Sequence, residues 1–222
     1  MNSKTEQPKK KKNKNIFKYF VYDFVKWTGA LPVILWYRLK IYYESPLAKT
    51  KQKKGVLISA NHIGYQDPII LTRAFWRRRL NMVATKDLFT TKLKKWFFNN
   101  ILCIEIDKEN ISIASYKEIV NRLKDDKVVT IFPEGHIVHN KENQVDAFKS
   151  GVVLMAMQAN VPIVPVHIIK KEKWWHRQKI IIGEPVVLPS NKMNLEEIQN
   201  YCEILRKKEI ELFENYKKGK NK

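Results

Sequence analysis

Two short stretches hold the residue types that could do chemistry. The first is SANHIGYQDP, residues 59–68, in which His62 and Asp67 stand five positions apart. A strand-like run, VLISA, precedes it, and a helix-like run, PIILTRAFWRRR, follows. Asp before Pro at a helix start is an N-cap signature, so Asp67 has a plain structural explanation. The pair also permits more. A tight turn at Gly64 would fold His62 back over the helix start, within hydrogen-bond reach of Asp67. The carboxylate would then fix the imidazole tautomer and stabilise imidazolium as it forms, giving a general base with an orienting acid. No Gly-x-Ser-x-Gly elbow is present, and neither Cys103 nor Cys202 stands in an activating motif. A base without a protein nucleophile points to direct activation of a substrate hydroxyl or of water. Acyl transfer from a thioester suits this. The leaving thiolate, with a pKa near ~8.5 by analogy with cysteine, needs little acid help, whereas the attacking alcohol needs the base.

The second stretch is VVTIFPEGH, residues 128–136, which runs off an apolar strand into Pro133, Glu134, Gly135 and His136. Gly135 allows positive φ or close backbone approach, and Glu134 could bind a hydroxyl. An ordinary β-turn accounts for the same residues. Glu134, His136 and His139 fit E-x-H-x-x-H, which is no established metal spacing, and HExxH is absent. No metal and no bound cofactor are expected.

The elements that must position these residues follow from the apolar pattern. Short apolar runs predict strands over 56–60, 81–85, 102–106, 128–132, 162–169 and 179–183. Helical patterns cover 68–79, 88–99, 111–124, 147–160 and 194–216, the last opened by an Asn194–Glu197 capping box. The alternation predicts an α/β domain with a mostly parallel or mixed sheet flanked by helices, its site at the carboxyl ends of the strands. The domain is expected to span residues 44–222. The two cysteines read as ordinary buried thiols of a reducing compartment.

Two segments precede it. Residues 1–15 carry six lysines against one glutamate and read as a disordered basic tail. Residues 16–43 hold ten of the 25 aromatic residues, with Gly29 and Pro32 dividing the segment into two helices or one kinked helix. Charges interrupt it; its longest uncharged run, 27–37, is well short of the ~20 residues a bilayer span needs. A helix rich in Trp, Tyr and Lys that cannot span suits a membrane interface, so an amphipathic two-helix anchor is expected here. The alternative is a pair of helices packed on their own domain. The formal charge of +20 favours a polyanionic partner, such as an anionic membrane surface, a phosphorylated substrate or nucleic acid.

At this point the motifs resemble a known family. NHIGYQD matches the Asn-His-x4-Asp motif of the PlsC-like glycerolipid acyltransferases, which include 1-acylglycerol-3-phosphate acyltransferases. FPEG (132–135) matches their second hallmark, ILCIEIDK (101–108) the motif between them, and VPIVPV (161–166) the fourth. FKSGVVLMA (148–156) resembles the helix before the last motif. The resemblance covers roughly residues 50–190 and keeps the family order. It implies His62 as general base on the acceptor hydroxyl, with Asp67 as its partner. Asn61, Lys108, Glu134 and Gly135 would contribute to the substrate site. It implies acyl-CoA or acyl carrier protein as donor, a lysophospholipid as acceptor, and a monotopic seat on the cytoplasmic membrane face. Two positions depart from the family pattern. His136 and Ile137 replace the usual small hydroxyl residue and arginine, and Lys108 replaces an arginine, without the bidentate fork that suits phosphate.

The sequence reading is therefore a membrane O-acyltransferase making phosphatidic acid from 1-acylglycerol-3-phosphate. Glycerol-3-phosphate or another lyso-lipid is the alternative acceptor. The alternative of another class is a basic nucleic-acid-binding protein. Against it, the aromatics crowd one apolar segment instead of alternating with arginine on an exposed platform, and no nucleic-acid-binding signature appears.

Overall fold

The computed structural model describes residues 19–50, 53–107, 111–138, 145–171, 173, 175–189 and 193–220. The basic tail, Lys108 and His139 lie outside these described residues. The chain order is α1 (Phe20–Pro32), β1 (Lys40–Tyr43), β2 (Val56–Ala60), α2 (Asp67–Ala74), β3 (Leu80–Thr85), α3 (Lys92–Asn100), β4 (Ile104–Ile106), α4 (Ile113–Lys124), β5 (Val128–Ile131), α5 (Gly151–Ala159), β6 (Ile163–Ile169), β7 (Lys179–Ile182) and α6 (Leu195–Lys220). All seven strands form one sheet in the order β1-β7-β6-β2-β5-β3-β4. Only β6 and β7, joined by the 170–178 loop, pair antiparallel, so the sheet is mixed.

The central strands are mostly apolar because both faces are covered. Along β2, Leu57 packs with α4, α5 and α6 on one face, and Ile58 packs with α2 on the other. The six predicted strands all form, each within two residues of its expected bounds. The capping box on α6 forms as read: Asn194 Oδ1 accepts from the Glu197 N–H at 2.8 Å, and Glu197 Oε2 from the Asn194 N–H at 2.7 Å.

Several segments differ from expectation. Helices α3 and α5 begin at Lys92 and Gly151, four residues later than expected, and α2 ends at Ala74, not at residue 79. The arginine run beyond it turns because its partners lie elsewhere. Arg78 donates to the carbonyls of Lys54 and Asp126, and Arg79 grips Asp23 through two bonds of 3.0 and 2.7 Å. In the segment 16–43, the described residues are helical only as far as Tyr37 and end in a strand. Helix α1 runs through Gly29 to Pro32, a single π-helical stretch continues to Tyr37, and residues 40–43 are the edge strand β1, parallel to β7. Pro32 has no N–H to continue the regular ladder, which loosens the helix at that point. Ile41, Tyr42 and Tyr43 favour a pleated surface, and β7 offers them an unpaired edge. The sheet thus begins at Lys40, inside the segment expected to be an anchor.

Helix α1 docks through one face. The Tyr22 hydroxyl accepts from the Leu80 N–H at 2.8 Å, and the Lys26 ammonium donates to the Trp76 carbonyl. The opposite face carries Phe20, Phe24, Trp27 and Leu31 at helical spacing, 58–68% exposed. Among the described residues, no helix is long and apolar enough to cross a membrane.

Candidate active site

Parallel pairing brings the two motifs together. Strands β2 and β5 are neighbours, with Ser59 opposite Ile131, so residues 61–67 and 132–138 leave the sheet side by side at its carboxyl edge. These strands are distant in sequence, and only the crossover topology makes them adjacent.

The five-residue loop folds as the spacing suggested. His62 Nδ1 lies 2.8 Å from Asp67 Oδ2. The same oxygen accepts from the N–H groups of Ile63 at 2.7 Å and Gly64 at 2.9 Å. Asp67 is fully buried. It does not cap α2, since its carboxylate closes the turn before the helix and Gln66 stands at the cap without a side-chain bond. With Nδ1–H donating to the carboxylate, neutral His62 carries its lone pair on Nε2. The ring stacks on Phe132, centroids 4.1 Å apart and planes 15° off parallel.

The second loop holds His62 from behind. Glu134 Oε2 accepts from the His62 backbone N–H at 3.2 Å, and Oε1 from the Asp146 N–H at 3.2 Å. The His62 carbonyl accepts from the Val138 N–H at 2.7 Å. Burial pushes the Glu134 carboxyl up to about 7, opposed by its two backbone N–H partners. Gly135 sits at φ 76°, where a side chain would be strained and where a Cβ would lie 3.0 Å from the end of the Lys149 side chain. This array can do one chemical task directly: accept a proton at Nε2 while a buried carboxylate supports the ring.

Residues 41–169 match a family model described as Acyltransferase. The chain belongs to this family. It is 30% identical to the 1-acyl-sn-glycerol-3-phosphate acyltransferase of Bacillus subtilis over 71% of this chain and 79% of that one. It is 36% identical to a probable 1-acyl-sn-glycerol-3-phosphate acyltransferase of Mycoplasma pneumoniae, over 53% of this chain and 45% of the relative. The crystal structure of the 1-acyl-sn-glycerophosphate acyltransferase PlsC from Thermotoga maritima shares the fold, with a TM-score of 0.63 and 20% identity over 90% of this chain and 83% of that one.

Other residues of this acyltransferase fall into place differently. Asn61 is buried, and both ends of its amide bond the Ile168 backbone, at 3.0 Å to the carbonyl and 2.6 Å from the N–H. Its side chain prolongs the β2–β6 pairing and holds the strand end from which His62 projects. Lys108 is outside the described residues. Its neighbour Asp107 pairs with Lys86 across the β3–β4 ends. Both cysteines are buried, and burial raises the Cys103 thiol to about 12, which makes it a poor nucleophile.

Sequence reasoning named His136 but not its partners: its ring nitrogens lie 3.0 Å from the Glu134 carbonyl and from Asp146 Oδ2. Both partners are acceptors, so both bonds form together only when both ring nitrogens carry protons. Beneath the site, Ser59 donates to the fully buried Glu209 at 2.8 Å. Nearby His167 stacks on Phe213, and burial, opposed by the Glu209 backbone, lowers it to about 4, so it stays neutral. Phe132 was readable as part of FPEG. Asp146, Glu209 and His167 carried no signal, because their partners are set by packing.

Proposed function

We propose that this protein transfers a fatty acyl chain from a thioester, acyl-CoA or acyl carrier protein, to the free hydroxyl of 1-acylglycerol-3-phosphate, giving phosphatidic acid. The observation that carries the reading is the 2.8 Å His62–Asp67 contact, which leaves Nε2 as the open basic atom in a chain of the acyltransferase family. The names of the Bacillus and Mycoplasma relatives supply the acceptor. In the proposed step, Nε2 takes the acceptor hydroxyl proton as the oxygen attacks the thioester carbonyl. Collapse of the tetrahedral intermediate breaks the carbon–sulfur bond, and the imidazolium returns its proton to the departing thiolate. Asp67 stabilises the imidazolium between these events. No covalent acyl-enzyme is formed.

Glu134 and Gly135 shape the acceptor side of the site in this reading, and Lys108 meets the acceptor phosphate. Asn61 acts by positioning the loop. The exposed stripe of α1 seats the protein on the cytoplasmic face of an anionic bilayer without spanning it, since Trp and Phe on an interfacial helix enter the headgroup–acyl boundary. The test is purified full-length protein with radiolabelled acyl-CoA or acyl carrier protein and a panel of lyso-lipids, glycerol-3-phosphate and water as acceptors. Labelled phosphatidic acid is expected. Transfer to no acceptor with either donor would overturn the reading.

A further inference from the structure

Away from His62, two cavities meet, one between α1 and α2 and the other between α2, the start of β1 and Arg177. One, of about 560 Å³, is an apolar trough walled by Trp27, Leu31, Ile34 and Trp76, with Arg73 at its end. The other, of about 370 Å³, is ringed by Arg38, Arg73 and Arg177 over a floor of Leu39 and Ile41. Ile34 and Arg73 belong to both walls, so the two form one continuous groove whose basic end adjoins its apolar end. Both volumes fall in the range of small-molecule sites.

The basic end is built as an anion site. Three guanidiniums ring it, and among the described residues no carboxylate lines either cavity. Among the described residues none of the three makes an ion pair; Arg73 only leans over the Trp76 ring, at 5.6 Å. Arg38 carries φ 47°, a left-handed conformation uncommon for arginine, at the joint between the π-helical stretch and β1. Like charge gathered without counter-charge raises the affinity of the place for an anion, and guanidinium is the group that binds phosphate by paired bonds. The apolar end states the rest of the ligand. Its mouth is continuous with the exposed stripe of Trp27, Leu31 and Ile34, the surface assigned above to the bilayer interface. A free phosphate would leave the trough empty. In acyl-CoA the phosphates and the acyl chain are held apart by the pantetheine arm, whereas Arg73 here borders the trough directly.

We propose that this groove seats one anionic phospholipid of the bilayer, its phosphate on Arg38, Arg73 and Arg177 and one acyl chain along Trp27, Leu31 and Trp76. The site lies outside the His62 cluster. It rests on the interfacial reading of α1 and is independent of acyl transfer.

The test is native mass spectrometry of the full chain from detergent, titrated with phosphatidylglycerol or phosphatidylcholine of equal chain length. Wild type is expected to retain one phosphatidylglycerol, with affinity about tenfold or more above phosphatidylcholine. Arg73→Gln/Arg177→Gln should remove that preference. Arg177→Gln alone, at an exposed loop position, weakens it in case the double variant folds poorly. His62→Ala protein should bind as wild type does, which separates this result from any failure of catalysis. Flotation of the same protein with vesicles reads the interfacial role of α1 on its own. Equal retention of the two lipids, or a preference unchanged by either arginine variant, would overturn the proposal. So would displacement of the lipid by CoA or inorganic phosphate, which would assign the arginines to a soluble phosphate.

Discussion

Asp67→Asn is the substitution that separates a catalytic carboxylate from a turn-closing one. Asp67 Oδ2 accepts three hydrogens, from His62 Nδ1, Ile63 and Gly64. An asparagine with its amide oxygen in that place keeps all three bonds in neutral form. Its NH2 then falls where Oδ1 is now, buried without a partner. An unsatisfied buried donor costs about 1–3 kcal/mol, so the variant should fold with a lowered midpoint. The catalytic cost is larger. When His62 becomes imidazolium its charge lies roughly 4 Å from the carboxylate charge, and at an effective dielectric of ~20 that attraction is about 4 kcal/mol. At ~1.4 kcal/mol per factor of ten, kcat should fall by about 10³. The acceptor KM should hardly move, because the charge develops only in the transition state. The assay is thiol release from acyl-CoA under saturating lysophosphatidic acid, with circular dichroism and urea midpoints as fold controls. His62→Ala and the double variant should be equally slow, since the two residues act as one unit. A folded Asp67→Asn that keeps more than about a tenth of the wild-type rate would refute the argument and leave Asp67 a turn residue.

Three other outcomes follow. Glu134, held at about 7 by burial against an ordinary 4.5, keeps its proton while the unfolded chain loses its own. Its contribution to stability is therefore greatest below pH 4.5 and declines as the pH rises to about 7; urea midpoints at about pH 5 and about pH 8 should diverge in wild type by more than in Glu134→Gln. Replacing Phe24, Trp27 and Leu31 by serine should release the protein from anionic vesicles without changing its midpoint, because these side chains are already exposed; high salt on wild type should release it only in part. Lys108→Ala should raise KM for lysophosphatidic acid more than it lowers kcat and leave KM for the donor unchanged; an unaltered preference over uncharged monoacylglycerol would remove Lys108 from the phosphate site.

What was legible in the sequence was local or periodic. Strands β2, β5 and β6 could be bounded closely because central strands buried on both faces read as short runs rich in Val and Ile. The His62–Asp67 contact could be read from a five-residue spacing and one glycine. What failed was non-local. KIYY looked like the end of an aromatic helix, and only β7, far along the chain, makes it a strand. The run RRR continued a helical pattern, yet Arg78 and Arg79 are committed to the Asp126 carbonyl and to Asp23. The bonds from Asn61 to the Ile168 backbone carry no sequence signal, because β6 lies more than a hundred residues away. The bonds from Glu134 to the backbones of His62 and Asp146 are non-local too, since they need β5 and the 145–150 segment to meet the His62 loop.

Those backbone partners explain how a loop can carry a base in fixed orientation. His62 has no strand or helix of its own, and a free loop histidine would sample several rotamers. Here each degree of freedom meets a separate restraint. Its N–H is taken by Glu134 and its carbonyl by Val138, which fixes the backbone. Phe132 covers one ring face, and Asp67 binds Nδ1. The two carboxylates therefore have different tasks: Asp67 acts on the ring, and Glu134 acts on the chain that bears it. Asp67 is reached within one turn, whereas Glu134 arrives from β5 and needs the parallel register of β2 and β5 to be correct. A slip of that register would leave the His62–Asp67 contact intact and still lose the direction in which Nε2 points. Because a misplacement of about 1 Å can cost on the order of 10²-fold in rate, the proposed general-base step depends on the sheet register as much as on the histidine.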